Sequence, residues 1–372
     1  MEQIEKKYMQ RAISLARRGE GKTNPNPLVG AVIVKDGKII GEGFHHKYGD
    51  LHAERDALKN CYEKNNNPAG STIYVTLEPC CHFGKQPPCT QALVQAGVSH
   101  VVVASRDPNP LVHGKGNDYL REHGIKVTED FLKEESDKLN NIFFKYIQEN
   151  IPYVALKYAM TMDGKIACKT GESKWITNEK SRLYVQKLRN KYSGILCGIG
   201  TVLKDDPMLN CRIKNGTNPL RIICDSNLRI PLESKIVKTS KEIKTLIVGV
   251  ESTEKSFLEK KELLESFGSE VFLTKPDKNK KVNFTELLNE LGKRKIDSVL
   301  VEGGAEINYS LLSENLVDCV YAFVAPKTFG GNAKSPVSGE GVENPSKAFN
   351  FILKETKKIE NDILLKYEKQ NY

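Results

Sequence analysis

The stretch that decides the first half of the fold reads HAERDALKNC at residues 52–61 and STIYVTLEPCCHFGKQPPC at residues 71–89. The first piece is a helix beginning near His52; the second is a buried strand that runs into a cysteine-rich loop and a further helix. His52, Cys80 and Cys89 supply one imidazole and two thiolates. A catalytic zinc takes three such protein ligands and keeps a fourth position for water. Glu54 stands two residues beyond His52 at the start of the same helix, where it can face that water without binding the metal. Zinc makes hydroxide available near neutral pH, and a carboxylate placed there can carry a proton to a departing amine. These residues together point to hydrolytic deamination of an aminopyrimidine carbon.

Each piece alone has an ordinary reading. A lone HAE triplet is usually just a helix start, and adjacent cysteines often only pack in a core. Their order and their placement on strand, loop and helix favour the metal. Cys80 follows Pro79, and Cys89 follows Pro87 and Pro88 where a helix begins, a position that stabilises a thiolate. The zinc-deaminase signature is HxE followed by PCxxC. Here the second cysteine lies nine positions after Cys80, so the loop is longer and Cys81 and His82 compete as ligands on spacing alone.

Outward from this stretch, residues 3–18 place Ile4, Tyr8, Ala12, Leu15 and Ala16 on one helical face ending at Gly19. LVGAVIV (28–34) and KIIGEGFHH (38–46) read as a hairpin turning at Asp36-Gly37, and HVVVAS (100–105) as a further strand. An amphipathic helix is expected from about Asp130 to Gln148. This succession predicts a mixed sheet covered by helices. The boundary falls at residues 149–152, where Pro152 disfavours helix, giving domains 1–149 and 150–372. A second α/β pattern follows: strands YVALKYAM, GILCGIG, LRIICD, KTLIVGV, SEVFLT, SVLVEGG and CVYAFVAP, with helices such as EKSRLYVQKLRNKY and FTELLNELGKRK.

A chain of 372 residues suits two cores, and 39% hydrophobic with 28% charged residues describes a globular rather than a disordered protein. No apolar run reaches membrane-spanning length and the N-terminus is not a signal peptide, so a cytoplasmic protein without a membrane partner is expected. Nine cysteines, an odd number in such a chain, argue against a disulfide framework. The net charge of +9 suits anionic small molecules; its lysines are scattered among acids and form no aromatic-interleaved basic stripe, so nucleic acid is not the expected partner. A homo-oligomer is compatible with the sequence, in which an exposed apolar face and a core-facing one share the same pattern.

TNPNPLVGAVIV (23–34), HAE, YVTLEPCCHFGKQPPC (74–89) and SRDPNPLVHGKG (105–116) resemble the bacterial bifunctional riboflavin biosynthesis family, RibD or RibG. So do LKYAMTMDGKIA (156–167), GESKWIT (171–177), GIGTVLKDDPMLNCR (198–212), DSNLRIP (225–231) and VEGGAEIN (301–308). The resemblance covers essentially the whole chain. It implies a cytidine-deaminase-like first domain and a dihydrofolate-reductase-like second one. It further implies deamination of 2,5-diamino-6-(5-phosphoribosylamino)pyrimidin-4(3H)-one, then reduction of the ribosyl group to ribityl by NADPH.

Carried over by position, the resemblance makes His52, Cys80 and Cys89 the Zn2+ ligands and Glu54 the proton carrier. Asn26 and His45 fall near the pyrimidine, Lys85 near the substrate phosphate, and Asp107 and Asn109 at the pocket rim. In the second domain Ala159, Trp175, Thr201, Asp205, Ser226 and Gly304 fall on cofactor positions. Ser173, Arg189, Leu209, Arg212 and Glu302 fall on substrate positions, and Asp163 orients backbone or substrate. Against each stands a bland reading: Lys85 and the arginines as surface charge, Trp175 as a rim aromatic, Asp107 as a loop cap. Arg189 and Arg212 have forks that suit a ribose phosphate. Gly198 with Gly200, and Gly303 with Gly304, sit at strand-to-helix turns where backbone N–H groups can meet a phosphate, although no GxGxxG is present.

Two other readings compete. A nucleoside or RNA base deaminase fused to a non-catalytic binding domain would share HAE and the Pro-Cys pairs, but it has no use for the second-half motifs. A zinc-stabilised binding protein with decayed sites would not need Glu54 beside an intact ligand set.

Overall fold

The computed structural model describes residues 4–83, 87–109 and 112–370. Contacts divide the chain into two units, Met1–Asn150 and Ile151–Tyr372.

In the first unit, helix α1 (Lys6–Ala16) precedes strands β1 (Gly30–Lys35) and β2 (Lys38–Phe44). Helix α2 (Ala53–Glu63), β3 (Thr72–Leu77), α3 (Cys89–Gln95), β4 (His100–Ser105), α4 (Lys115–Glu122) and β5 (Lys126–Thr128) follow, then α5 (Lys133–Asp137) and α6 (Asn141–Glu149). The sheet order is β2-β1-β3-β4-β5. β1 pairs antiparallel with β2 and β3, while β3–β4 and β4–β5 are parallel, which makes the sheet mixed. Asp36 and Gly37 both have positive φ, as a two-residue hairpin turn of this hand requires. Alternation decides the layers. Ala31, Ile33, Ile73, Val75, Val101 and Val103 pack under α2, α3 and α4 through Ala57, Leu93 and Leu120. Val32, Val34, Tyr74, Val102 and Ala104 point the other way onto Met9, Ala12 and Ile13 of α1.

The single helix expected from Asp130 to Gln148 is two short ones, α5 and α6. Asp130 and Leu132 take positive φ, which a helix cannot contain. At the second break, the Asn140 amide accepts from Leu28 N at 2.8 Å and donates to Leu28 O at 2.9 Å, so its side chain serves another segment's backbone rather than a helix interior. Asn150, left-handed at φ 55°, stops α6 just before Pro152.

The second unit runs β6 (Tyr153–Thr161), α7 (Glu179–Lys191), β7 (Gly194–Gly198), α8 (Ile199–Asp205), β8 (Leu220–Cys224), α9 (Lys235–Lys238) and β9 (Thr245–Val250). It continues with α10 (Lys255–Ser266), β10 (Glu270–Thr274), α11 (Phe284–Lys293), β11 (Ser298–Val301), α12 (Ala305–Ser313) and β12 (Cys319–Ala325), then β13 (Phe351–Ile359) and β14 (Asp362–Lys369). Its nine-stranded sheet has the order β10-β9-β8-β7-β11-β6-β12-β14-β13. The strands from β10 to β12 are parallel, and the terminal hairpin adds β14 and β13 antiparallel at one edge. One face of the sheet packs on α11 and α12 through Leu156, Leu196, Ile222 and Val299; the other packs on α8, α9 and α10 through Ile195, Cys197, Ile223 and Ile247. Among the described residues no helix is long and apolar enough to cross a membrane.

Candidate functional site

His52 is the residue that opens α2, and Cys89 is the first residue of α3. Cys80 lies three residues past the end of β3. Their ligand atoms all lie within 4.8 Å of one another, with His52 Nδ1 3.5 Å from Cys80 Sγ and 3.4 Å from Cys89 Sγ. This is the grouping found among the described residues; neither Cys81 nor His82 belongs to it. An imidazole nitrogen and two sulfurs converging from a helix start, a loop and a second helix start are the donor set of a catalytic zinc, which takes three protein ligands and water. The Cys89 amide donates to Cys80 Sγ at 3.4 Å. Hydrogen bonds from Cys89 and His52 hold the Cys80 thiol down at about 4 despite burial, while Cys89, the donor of the pair, is pushed up.

Glu54 is 3% exposed and hydrogen-bonded to Cys89. Burial, reinforced by Cys80, raises its carboxyl to about 7, where a group that takes and returns protons near neutrality works best. His45 Nδ1 is 2.9 Å from Leu51 O and so carries the hydrogen, which leaves Nε2 to accept from Asn26 Nδ2 at 3.1 Å. Its ring meets His52 edge-on with centroids 5.6 Å apart, placing Asn26 and His45 beside the metal group. Asp107 is buried and its Oδ1 accepts from Asn109 N at 2.9 Å, a loop cap. Lys85 lies outside the described residues.

Sequence reasoning missed Glu78. Its carboxylate is 3% exposed and accepts four backbone N–H groups, from Asp107 and Gly114 on Oε2 and from Gly116 and Asn117 on Oε1. It thereby ties the loop carrying Asn109 to the strand end carrying Cys80. Its only sequence signal was a carboxylate ending a buried strand.

The second unit holds a cavity of about 990 Å³ whose wall includes Ser173, Thr201, Asp205, Ser226 and Gly304. It opens beyond the carboxyl ends of β7, β8 and β11, where parallel α/β sheets bind ligands. Both glycine pairs serve it. A Cβ on Gly303 would lie 2.6 Å from Cys197 Cβ and 2.9 Å from its Cα, so only glycine lets β7 and the α12 turn approach. Gly304, at φ 57°, then turns the chain into α12. Gly303→Ala is expected to cost about 1–3 kcal/mol by overpacking, read by thermal melting; unchanged melting would show that the close approach is dispensable.

Glu302, Arg189 and Lys157 form a second group, with side chains 7%, 11% and 14% exposed. Arg189 grips Glu302 bidentately at 2.7 and 3.1 Å, and Lys157 Nζ lies 3.0 Å from Oε2. Burial alone would raise Glu302, but the Arg189 and Lys157 charges hold it down at about 2. The Arg189 fork is therefore filled by a carboxylate rather than open to a phosphate, whereas Arg212 is exposed. Lys157, a cation inside an otherwise apolar strand, was missed at the sequence level.

The remaining candidates are placed differently. Ala159 lies on β6 opposite Phe323 of β12. Leu209 is 3% exposed and packs in the apolar core, so its side chain is turned away from the cavity's open space. Trp175 is 63% exposed with the Arg182 guanidinium 4.6 Å from its ring centroid. Asp163 orients backbone, accepting from Gly330 N at 2.7 Å and Phe329 N at 3.2 Å.

Fold and sites together define a deaminase and a reductase joined on one chain. Residues 2–105 match the cytidine and deoxycytidylate deaminase zinc-binding region, and residues 152–365 the RibD C-terminal domain. The chain is 50% identical over 361 residues to riboflavin biosynthesis protein RibD of Actinobacillus pleuropneumoniae, covering 97% of this chain and 94% of that one. To RibD of Aquifex aeolicus it is 40% identical, covering 99% of each. A Thermotoga maritima crystal structure, described as a diaminohydroxyphosphoribosylaminopyrimidine deaminase/5-amino-6-(5-phosphoribosylamino)uracil reductase, superposes with a TM-score of 0.86 at 38% identity over 98% of both chains. The chain belongs to the RibD family of bifunctional riboflavin biosynthesis enzymes.

Proposed function

We propose that the first unit hydrolyses 2,5-diamino-6-(5-phosphoribosylamino)pyrimidin-4(3H)-one to its 5-amino uracil counterpart and ammonia. The second unit then reduces the ribosyl group to ribityl at the expense of NADPH. The observation that carries the first step is the convergence of His52, Cys80 and Cys89 beside the buried Glu54. When bound there, zinc supplies the Lewis acidity that makes water nucleophilic near neutral pH. Glu54 takes the proton from the attacking water and passes it to the departing amine, so that water and the amino compound become the carbonyl compound and ammonia. Asn26, fixed by its bond to the neutral His45, is placed to hold the ring.

For the second step, NADPH supplies the hydride, and the protein's task is to hold donor and acceptor against each other. Thr201, Asp205, Ser226 and Gly304 on the cavity wall support a dinucleotide there, with Trp175 and Ala159 as further contacts by resemblance. Ser173, Arg189, Leu209, Arg212 and Glu302 are proposed for the substrate; Arg189 acts by fixing Glu302, and Arg212 meets the phosphate. Lys85 and Asn109 complete the deaminase pocket in the same reading. The unpaired cysteines suit a reducing, cytoplasmic compartment.

The test is one assay that follows ammonia release and NADPH absorbance together. With zinc-loaded protein ammonia is expected first, then NADPH consumption. Stripping the metal with a chelator is expected to stop ammonia release while NADPH oxidation on pre-deaminated substrate continues. Ammonia release that survives metal removal would sink the metal mechanism; ammonia without NADPH consumption would sink the reductase reading.

A further inference from the structure

β12 ends at Ala325 and β13 begins at Phe351. The first part of the chain between them supplies Lys334, Ser335 and Ser338 to the cavity wall without belonging to a helix or a strand. A wall of this kind keeps its shape only where other elements hold its backbone groups.

The near end of this segment is bonded to the turn that follows β6. Met162 N donates to Lys327 O at 2.9 Å, and Ile166 N to Lys334 O at 2.8 Å. Between these two bonds the Asp163 carboxylate accepts from Phe329 N, from Gly330 N and from the Thr161 hydroxyl at the end of β6. Bonds from Thr161 and Gly330 hold the Asp163 carboxyl below the usual carboxylate range, which keeps it a pure acceptor. The far end is bonded to α12: Asn308 Nδ2 donates to Pro336 O at 2.8 Å, and Ser338 N to Ala305 O at 3.2 Å, next to Gly304. Residues 327–338 are therefore a strap from the end of β6 to the start of α12.

The strap also holds a third part of the wall. Lys327 Nζ donates to Trp175 O at 2.8 Å, two residues from Ser173 on the cavity wall. Arg182 of α7, which lies over the Trp175 ring, donates from Nη1 to Thr177 O at 2.7 Å. The stretches around Asp163 and Trp175 thus belong to one assembly, in which a carboxylate fixes the strap and a lysine on the strap fixes the tryptophan segment. Neither Asp163 nor Lys327 is among the described residues lining the cavity, so both act through the backbone they hold.

We propose that Asp163 is a positioning residue of the reductase: it fixes the strap and, through Lys327, the Trp175 segment, so that the cavity meets its dinucleotide and ribosyl substrate already in shape. A preformed wall spares binding the cost of ordering it. This rests on the reading of the cavity as the dinucleotide site.

Trp175 is the only tryptophan of the chain, so intrinsic tryptophan emission reports on this segment alone. Emission of the full chain is titrated with NADPH for wild type, Asp163→Ala, Asp163→Asn and Lys327→Met, beside reductase kinetics on pre-deaminated substrate and ammonia release. Asp163→Ala is expected to shift the emission and to raise KM for NADPH and substrate roughly tenfold. Its kcat at saturation stays within about threefold, because no reacting group is removed. Ammonia release is unchanged. Asp163→Asn, which keeps one acceptor oxygen, recovers part of the loss. Lys327→Met shifts the emission with a smaller rise in KM, since Asp163 still holds the strap, and it carries the test if melting shows Asp163→Ala unfolded. Unchanged KM in Asp163→Ala, a loss confined to kcat, or unchanged emission in Lys327→Met overturns the assignment. Each of these leaves the dinucleotide reading standing; wild-type protein that binds no NADPH fails that reading itself.

Discussion

Glu54→Gln is expected to keep its metal and lose its deaminase activity, with kcat for ammonia release down by about 10²–10⁴, the range set by general acid–base catalysis. The substitution is nearly isosteric in a pocket where Glu54 is 3% exposed, and the three grouped ligands are untouched. What disappears is the ability to accept a proton and return it. An amide can hold the same place and hydrogen-bond Cys89, yet it cannot take a proton at neutral pH. Metal content by emission spectroscopy and NADPH oxidation on pre-deaminated substrate should both match wild type. Deamination within a few-fold of wild type would remove Glu54 from the mechanism, and loss of the metal would make it a support for the ligands instead.

The second large effect concerns stability. Removing the Glu302 charge by Glu302→Gln leaves Arg189 and Lys157 facing each other in a site where their side chains are 11% and 14% exposed. Breaking such a pair from one side costs about 3–5 kcal/mol, equivalent to a fall of roughly 10 °C in the melting of a unit this size. Replacing all three by apolar residues of similar volume should recover much of that loss, because the desolvation cost goes with the charges. A single variant within about 1 kcal/mol of wild type would mean the group is better hydrated than its burial implies. The pH dependence has a definite sign. Glu302 is held at about 2, below its ordinary 4.5, so its contribution is complete above the ordinary value and is lost as pH falls toward about 2. The acid limb of the stability curve should flatten in Glu302→Gln.

The metal group was legible in the sequence because chemistry restricts which side chains can form it, and because the turns around it announce themselves: His52 before a helical stretch, Pro87-Pro88 before Cys89, Asp36-Gly37 between two strands. Strands buried on both faces, such as Val101–Val103, declared themselves as apolar runs. Other features had no local signature. The cavity wall comes from segments that follow β6, β7, β8, β10, β11 and β12, far apart in sequence, so no single motif describes it. The partner of Arg189 lies 113 residues away, and pattern alone could not tell a fork reserved for Glu302 from one open to phosphate. The terminal hairpin escaped because β13 is exposed along most of its length and its charged residues break the alternation that marks a half-buried strand.

The place of β6 in its sheet has a consequence for how the protein is made. On the ribosome the first unit has every strand of its sheet once residue 128 exists. β6, the strand made first in the second unit, lies between β11 and β12 and finds neither neighbour until Ser298–Val301 and Cys319–Ala325 have been synthesised. Contacts so distant in sequence close slowly, and apolar strands that wait for partners are the segments most open to misassociation. The nascent chain therefore carries a finished deaminase half while the reductase half is still unpaired, and protection during synthesis is needed chiefly by the latter.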